Sequence, residues 1–125
     1  MSARILIVED EDTLRESLKR VLMKEGYEVE AVESSESAFE KIEVCSFDMI
    51  ISDVILPGVS GIELLKRCKR THDIIIIIIT AYATIETAVD AVKSGAADYL
   101  VKPINHEELK AVIKKALREK AEKQS

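Results

Sequence analysis

Six consecutive isoleucines stand in the segment Asp73-Ile74-Ile75-Ile76-Ile77-Ile78-Ile79-Thr80. Because this run shows no alternation of apolar and polar residues, an extended segment here must be buried on both of its faces. Strands of this kind occur in parallel sheets that are covered by helices on both sides. The segment therefore predicts a central strand of an α/β sheet, with Thr80 at the end of the strand.

Four further strand-like runs surround this segment, and helical patterns alternate with them. The runs cover residues 5–8, 28–32, 49–51 and 99–101. Each strand-like run is followed by apolar residues at helical spacing. Strands that alternate with helices predict right-handed βαβ units and one parallel sheet in a three-layer α/β fold. The run 28–32 is the least apolar, so we expect it near an edge of the sheet.

Several residues mark helix ends in this pattern. Gly26 is expected to end the first helix, Ser34 or Ser35 to cap the second, and Thr84 to open the fourth. Asn105 and Glu108 form a pair that resembles a capping box at the start of the last helix. Residues 118–125 are charged and unpatterned, which favours a frayed end. We therefore expect one domain over residues 1–120, with 121–125 as a tail or the start of a linker.

Length and composition limit the classes of protein. A chain of 125 residues with 47% hydrophobic and 33% charged residues has room for one globular core. The formal net charge of −5 disfavours direct binding to nucleic acid. Cys45 and Cys68 have no metal-ligand spacing, and no secretory signal is visible. The longest apolar run is far shorter than the ~20 residues that span a bilayer, so we expect a cytoplasmic protein without a membrane anchor.

Polar side chains follow four of the predicted strands. Glu9 and Asp10 come after the first strand, Asp53 after the third, Thr80 after the fourth and Lys102 after the fifth. Ligands of open parallel α/β sheets bind outside the carboxyl ends of the strands. We therefore expect these five side chains to meet at one edge of the sheet.

These residue types suit metal-assisted phosphoryl transfer. Carboxylates crowded together repel one another, and a hard divalent cation such as Mg²⁺ relieves that repulsion. Asp53 is the better nucleophile, because Glu9 and Asp10 form a pair able to hold the metal. Lys102 can place a positive charge on the phosphoryl group, and Thr80 can donate a hydroxyl.

Each of these residues also has an ordinary explanation when it is taken alone. An acidic pair such as Glu9-Asp10 is favoured at the start of a helix. Asp53 could belong to a turn before Pro57-Gly58, Thr80 could cap a helix, and Lys102 could be solvated. Their convergence at four strand ends favours a shared chemical role over four separate structural ones.

The same residues carry a family resemblance. The segments are Glu9-Asp10, Asp53-Val54-Ile55-Leu56-Pro57-Gly58-Val59-Ser60-Gly61, Thr80-Ala81 and Lys102-Pro103. At these separations they resemble the receiver domains of bacterial two-component response regulators, over about residues 4–120. The resemblance implies a flavodoxin-like (βα)5 fold with strand order 2-1-3-4-5.

The resemblance also implies a reaction and the residues that perform it. Asp53 would accept a phosphoryl group from a sensor histidine kinase in a Mg²⁺-dependent reaction, in which Mn²⁺ can substitute. Asp10 and Asp53 would hold the cation directly, Glu9 would act through water, and the backbone carbonyl of Ile55 would complete the protein ligands. Glu9 departs mildly from the family pattern, where aspartate is frequent at this position.

The resemblance further implies how the signal is passed on. Thr80 would move to bond the phosphoryl group, Tyr99 would turn inward as the switch aromatic, and the peptide between Lys102 and Pro103 would be cis. The changed surface would be the fourth helix, fifth strand and fifth helix, which controls an output domain or a downstream protein. Transcription regulation is the expected output, and a phosphorylation-linked homodimer is left open. The chain would catalyse only transfer to itself and slow self-dephosphorylation.

Two rival functions fit the sequence less well. A Mg²⁺-dependent phosphohydrolase commonly carries a second catalytic acid two residues after the nucleophile, where this chain has Ile55. A flavin-binding domain of similar fold would need a phosphate-cradling loop, and the acidic residues 9–12 would repel that phosphate.

Residues 80–89 and 95–99 resemble the NtrC-type receivers of σ54-dependent transcription activators.

Overall fold

A computed structural model describes residues 2–124 of the chain. Five parallel strands form one sheet in the order β2-β1-β3-β4-β5. Their bounds are β1 Arg4–Val8, β2 Glu28–Val32, β3 Met49–Asp53, β4 Ile75–Thr80 and β5 Asp98–Val101. The predicted fold class and strand order are confirmed, and β2 is an edge strand as expected.

Five helices connect and follow the strands. Their bounds are α1 Asp12–Lys24, α2 Ser35–Val44, α3 Gly61–Thr71, α4 Ile85–Lys93 and α5 His106–Gln124. The side chains of Ser34 and Thr84 accept backbone N–H groups at the starts of α2 and α4. Asn105 accepts the amide of Glu108 at 2.9 Å, so the expected caps are present.

The isoleucine run divides its side chains between two cores. Ile74, Ile76 and Ile78 join a core under α2, α3 and α4, whereas Ile75, Ile77 and Ile79 join a second core under α1 and α5. All six side chains are buried, because neighbouring strands flank β4 and helices cover both of its faces. The result is the predicted three-layer arrangement.

The register of the strands brings their carboxyl ends together. Asp53 at the end of β3 is paired with Ile79, and Thr80 at the end of β4 is paired with Val101. Val8, the last residue of β1, is paired with Ser52. Residues that follow these strands therefore start from one edge of the sheet.

The last helix is longer than the sequence pattern predicted. α5 continues through the segment after Arg118 to Gln124 instead of fraying there. The segment contains neither glycine nor proline and is rich in Glu and Lys, which favour a helix even where no apolar stripe guides its packing. No helix within residues 2–124 is long and apolar enough to cross a membrane.

Candidate functional site

Lys102, directly after β5, joins two acids from different strands. Its Nζ lies 2.5 Å from Oδ2 of Asp53 and 2.8 Å from Oε1 of Glu9. The lysine side chain is 18% exposed and both acids are buried. One ammonium group thus balances two carboxylates that are 44 residues apart in sequence.

Asp53 is held at the end of β3 by its backbone and by one carboxylate oxygen. Oδ1 accepts the amide of Ile55 at 3.0 Å, which leaves Oδ2 for Lys102. Ser52 Oγ donates to the Asp53 carbonyl at 2.9 Å. Gly61 lies so close to the same carbonyl that an added β-carbon would overlap it. The acid is therefore fixed by the strand on one side and by the start of α3 on the other.

Glu9 is completely buried, and its two oxygens have different surroundings. Oε2 accepts the amide of Glu11 at 3.1 Å. Oε1 makes the ion-pair contact with Lys102, but it accepts no hydrogen bond of good geometry from residues 2–124. Burial raises the pKa of Glu9, against the opposing effect of Lys102 and the Glu11 amide and with a smaller contribution from the charge of Asp53.

Lys102 stays a cation in this setting. Burial lowers the pKa of its ammonium group, but the hydrogen bonds and charges of Asp53 and Glu9 outweigh burial, so the pKa lies above the ordinary value. A raised pKa keeps the positive charge in place at neutral pH.

The acids could hold a divalent cation. Glu9, Asp10 and Asp53 each offer a carboxylate oxygen, and these oxygens lie within 4.8 Å of one another. Asp10 is exposed and makes no hydrogen bond or ion pair within residues 2–124. A set of oxygen donors alone suits a hard cation, and the unsatisfied Oε1 of Glu9 leaves a buried acceptor beside it.

Thr80 is the last residue of β4, and Tyr99 lies on β5; the side chain of neither contacts the acids or Lys102 through a hydrogen bond within residues 2–124. Thr80 is completely buried, and its Oγ1 accepts the amide of Tyr82 at 3.0 Å. Tyr99 is half-buried, and its hydroxyl lies 2.8 Å from Oγ1 of Thr87 at the start of α4. The Lys102–Pro103 peptide is cis, as the resemblance implied.

Of the residues predicted for the site, the structure groups Glu9, Asp10, Asp53 and Lys102 directly. Ile55 lies next to them through its amide contact with Asp53. The sequence reasoning missed Arg15, whose guanidinium contacts the Glu9 carbonyl at 2.9 Å. Its position three residues after Asp12 was the available signal, because such a pair lies on one face of a helix.

Comparison with known proteins agrees with this geometry. The profile of the response regulator receiver domain matches residues 5–114. The chain belongs to the response regulator receiver domains. It is thus a member of the phosphoacceptor switch modules of two-component systems, which interact with histidine kinases and with output domains.

Curated relatives of this receiver domain are regulatory proteins. It is 42% identical over 104 residues to the response regulator protein FleR of Pseudomonas aeruginosa, covering 82% of this chain and 22% of the relative. It is 39% identical over 114 residues to the transcriptional regulatory protein ZraR of Escherichia coli K12, covering 90% of this chain and 26% of the relative. The receiver domain thus spans about a quarter of the length of these relatives.

Solved structures show the same fold over the whole receiver domain. One is a CheY-like response regulator receiver domain protein from Methanospirillum hungatei, with a TM-score of 0.93 and 35% identity over 98% of this chain and 99% of that one. Another is the signal receiver domain of a putative LuxO repressor protein from Vibrio parahaemolyticus, with a TM-score of 0.93 and 31% identity over 99% of this chain and 96% of that one.

Proposed function

We propose that Asp53 of this receiver domain accepts a phosphoryl group from a sensor histidine kinase. The observation that carries the proposal is the Lys102 ammonium, 2.5 Å from Asp53 and 2.8 Å from Glu9. It stands beside three carboxylates whose oxygens lie within 4.8 Å of one another. A nucleophile, a cation site and a fixed positive charge are the parts that phosphoryl transfer to a carboxylate requires.

Asp53 is the acceptor among the three acids because of its position. Glu9 is completely buried, and Asp10 lies in the loop that leads into α1. The Ile55 amide holds one oxygen of Asp53, so the carboxylate has a fixed orientation. One of its oxygens forms a bond to phosphorus as the phosphorus–nitrogen bond of the donor histidine breaks, which gives an acyl phosphate. Lys102 then faces the new negative charge.

The acidic centre is proposed to take Mg²⁺, for which Mn²⁺ can substitute. Asp10, Asp53 and the Ile55 carbonyl would hold it, and Glu9 would act through water. When it is bound, the cation neutralises charge on the phosphoryl oxygens. The protein residues fix the carboxylates that receive it, and Lys102 supplies the remaining positive charge.

Thr80 and Tyr99 are proposed to pass the effect of phosphorylation from Asp53 to the protein surface. Thr80 would donate its hydroxyl to the phosphoryl group, and Tyr99 would turn inward from its bond with Thr87. Tyr99 lies on β5 and contacts α4 through Thr87, within the surface formed by α4, β5 and α5, which exposes the apolar side chains of Ile85 and Val92. An output domain, a downstream protein or a second phosphorylated copy would read this surface.

The wider setting is proposed from the relatives. Proteins named as a response regulator and a transcriptional regulatory protein support transcription regulation. A cytoplasmic location is part of the same proposal. The NtrC-type sub-family remains our proposal, as does a domain over residues 1–120 followed by the start of a linker to an output domain. Transfer to itself and slow self-dephosphorylation are the only reactions we assign to the chain.

Phosphorylation by a small-molecule donor tests the acceptor residue. With Mg²⁺ and acetyl phosphate, intact-mass measurement should show one added phosphoryl group, stable in acid and labile in base. Asp53→Asn should abolish the addition. Asp73→Asn should retain it, because Asp73 is an exposed loop residue before the amino end of β4, whereas Asp53 lies at the carboxyl end of β3. Equal labelling of Asp53→Asn would refute the site, and many turnovers per chain would indicate a phosphohydrolase instead.

A further inference from the structure

The loop after β1 carries an unusual density of negative charge. Glu9-Asp10-Glu11-Asp12 places four acids in a row, and carboxylate oxygens of Glu9 and Asp10 lie within 4.8 Å of one of Asp53. Three of the four carboxylates have a partner within the chain, and only Asp10 makes neither a hydrogen bond nor an ion pair within residues 2–124. The side chain of Asp10 is therefore not oriented by any contact of its own.

Arg15 of α1 forms two hydrogen bonds with this acidic segment. Its Nη1 donates to the backbone carbonyl of Glu9 at 2.9 Å, and its Nη2 lies 2.5 Å from Oδ1 of Asp12. The arginine side chain is only 16% exposed. The planar guanidinium fork serves both acceptors at once, which the single ammonium of a lysine does less well.

The hydrogen bond to the Glu9 carbonyl also constrains the backbone of Asp10, because the two residues share a peptide plane. The carbonyl of Glu9 and the nitrogen of Asp10 belong to one planar unit. On the other side, the Glu9 amide donates to the Val32 carbonyl of β2 at 3.0 Å. The peptide units on either side of Glu9 are thus both anchored, the preceding one by β2 and the following one, which leads to Asp10, by Arg15. Arg15 therefore constrains the direction in which the Asp10 side chain leaves the backbone.

We propose that Arg15 is a positioning residue for the divalent cation, because it holds the peptide that aims the Asp10 carboxylate at Glu9 and Asp53. This inference rests on the proposed function, which supplies the cation site. Arg15 itself does not contact the cation or the phosphoryl group. Its effect passes through the Glu9 carbonyl.

Charge and positioning predict opposite results when Arg15 is replaced. A positive charge near a cation site repels the cation, so removing it should tighten binding if charge alone matters. If Arg15 positions Asp10, removing it should weaken binding, because the loop then loses its orientation. The sign of the change in Mg²⁺ affinity separates the two roles.

The experiment titrates the full chain with Mg²⁺ in the absence of a phosphoryl donor, followed by calorimetry and by the amide NMR signals of residues 53–55. Arg15→Gln should weaken Mg²⁺ binding about tenfold, the lower end of the range for residues that orient metal ligands. Arg15→Lys keeps the charge and should give an intermediate loss. Arg20→Gln is the matched control, since the Arg20 side chain lies exposed on the same helix and makes no ion pair or hydrogen bond in the described part of the chain.

Two further outcomes complete the test. Raising Mg²⁺ about tenfold should restore the phosphorylation rate of Arg15→Gln if only the cation affinity has changed. Equal or tighter binding by a folded Arg15→Gln variant would overturn the role of Arg15 while leaving Asp53 as acceptor. Absence of Mg²⁺ binding by the unaltered chain would overturn the proposed cation site and this inference with it.

Discussion

Gly61 begins α3 directly behind Asp53, where the backbone of α3 and the end of β3 almost touch. Its amide donates to the Val54 carbonyl at 2.9 Å, so the two segments are held together. The nearest atoms to an added β-carbon belong to the backbone of Asp53 and Val54. Backbone atoms at a strand end cannot move aside as a flexible side chain can.

Gly61→Ala should therefore displace Asp53 as well as weaken the fold. We expect a loss of about 1–3 kcal/mol in the free energy of unfolding, as for other overpacked sites. The initial rate of phosphorylation by acetyl phosphate should also fall. Urea unfolding and the labelling rate measure the two effects.

Gly26→Ala is the control for this prediction. Gly26 has a φ of +93° but open space around it, so alanine there costs about 1 kcal/mol through backbone strain alone. Its labelling rate should not change. A Gly61→Ala variant with unaltered stability and labelling would contradict the close approach behind Asp53.

Cys68 gives the fold a dependence on alkaline pH. The thiol is 2% exposed in the core under α3, and burial raises its pKa from 9.0 to about 11. Because the folded pKa lies above the unfolded one, the neutral thiol stabilises the fold fully below pH 9.0, and this stability is lost as pH rises towards about 11. The loss attributable to Cys68 should be about 3 kcal/mol at most.

Urea unfolding between neutral pH and pH 11 measures this contribution. Cys68→Ala should be less stable at neutral pH but should lose less stability on alkalinisation. Cys45→Ala should follow the unaltered chain, since Cys45 lies only partly buried at the end of α2. Parallel pH profiles for the two variants would argue against the buried thiolate as the cause.

At the scale of the elements, α4 buries little of its own surface. Only Ala91 among its nine residues is buried, while Ile85 is 84% and Val92 67% exposed. A helix of this length is marginal by itself. Its start is held by reciprocal bonds between Thr84 and Thr87 and by the Tyr99 hydroxyl, 2.8 Å from Thr87 Oγ1.

Thr87→Val should loosen α4 without unfolding the sheet. The loss of a cap costs about 1 kcal/mol, so amide exchange in the first turns of α4 should speed up about fivefold. Tyr99→Phe removes only one bond and should have a smaller effect. Thr13→Val on the exposed face of α1 is the control, and exchange in α4 that is equal in all three variants would contradict the capping role.

Sequence patterns predicted the elements best where burial is complete. The isoleucines of β4 fit only a strand buried on both faces, and the apolar positions of α3 fit only an amphipathic helix. The secondary structure of both segments was therefore predictable. The end of α5 was not, because residues after Arg118 lack an apolar stripe and their helical state follows from backbone propensity alone. The cap of α2 was narrowed to Ser34 or Ser35, and the structure shows Ser34.

At the scale of the whole molecule, strand order explains why the acidic centre could be foreseen. Residues after β1, β3 and β5 must meet at one edge of a parallel sheet, so Glu9, Asp53 and Lys102 converge whatever their separation in sequence. The supporting contacts could not be foreseen in the same way. The Arg15 bond to a backbone carbonyl and the close approach of Gly61 depend on loop geometry that no periodicity encodes.

Because these acids converge, their mutual repulsion lowers the free energy of unfolding of the whole domain. Three carboxylates lie together, with oxygens within 4.8 Å of one another, and Lys102 offsets only part of their repulsion. Without a divalent cation, Asp10→Asn should therefore raise the free energy of unfolding by about 0.5–1 kcal/mol, because it removes one of the repelling charges. The same substitution removes a proposed cation ligand.

Urea unfolding with and without Mg²⁺ tests both parts of this expectation. At a Mg²⁺ concentration of about 100 times its Kd, the unaltered chain should gain about 2.7 kcal/mol, and Asp10→Asn should gain much less. Asp73→Asn, which removes an exposed charge in the loop before β4, should behave as the unaltered chain in both conditions. A cation-free Asp10→Asn variant less stable than the unaltered chain would mean that Asp10 has a stabilising partner, and that the three acids do not repel in the folded state. The sign in the absence of Mg²⁺ thus decides whether the fold holds these carboxylates together against their own repulsion.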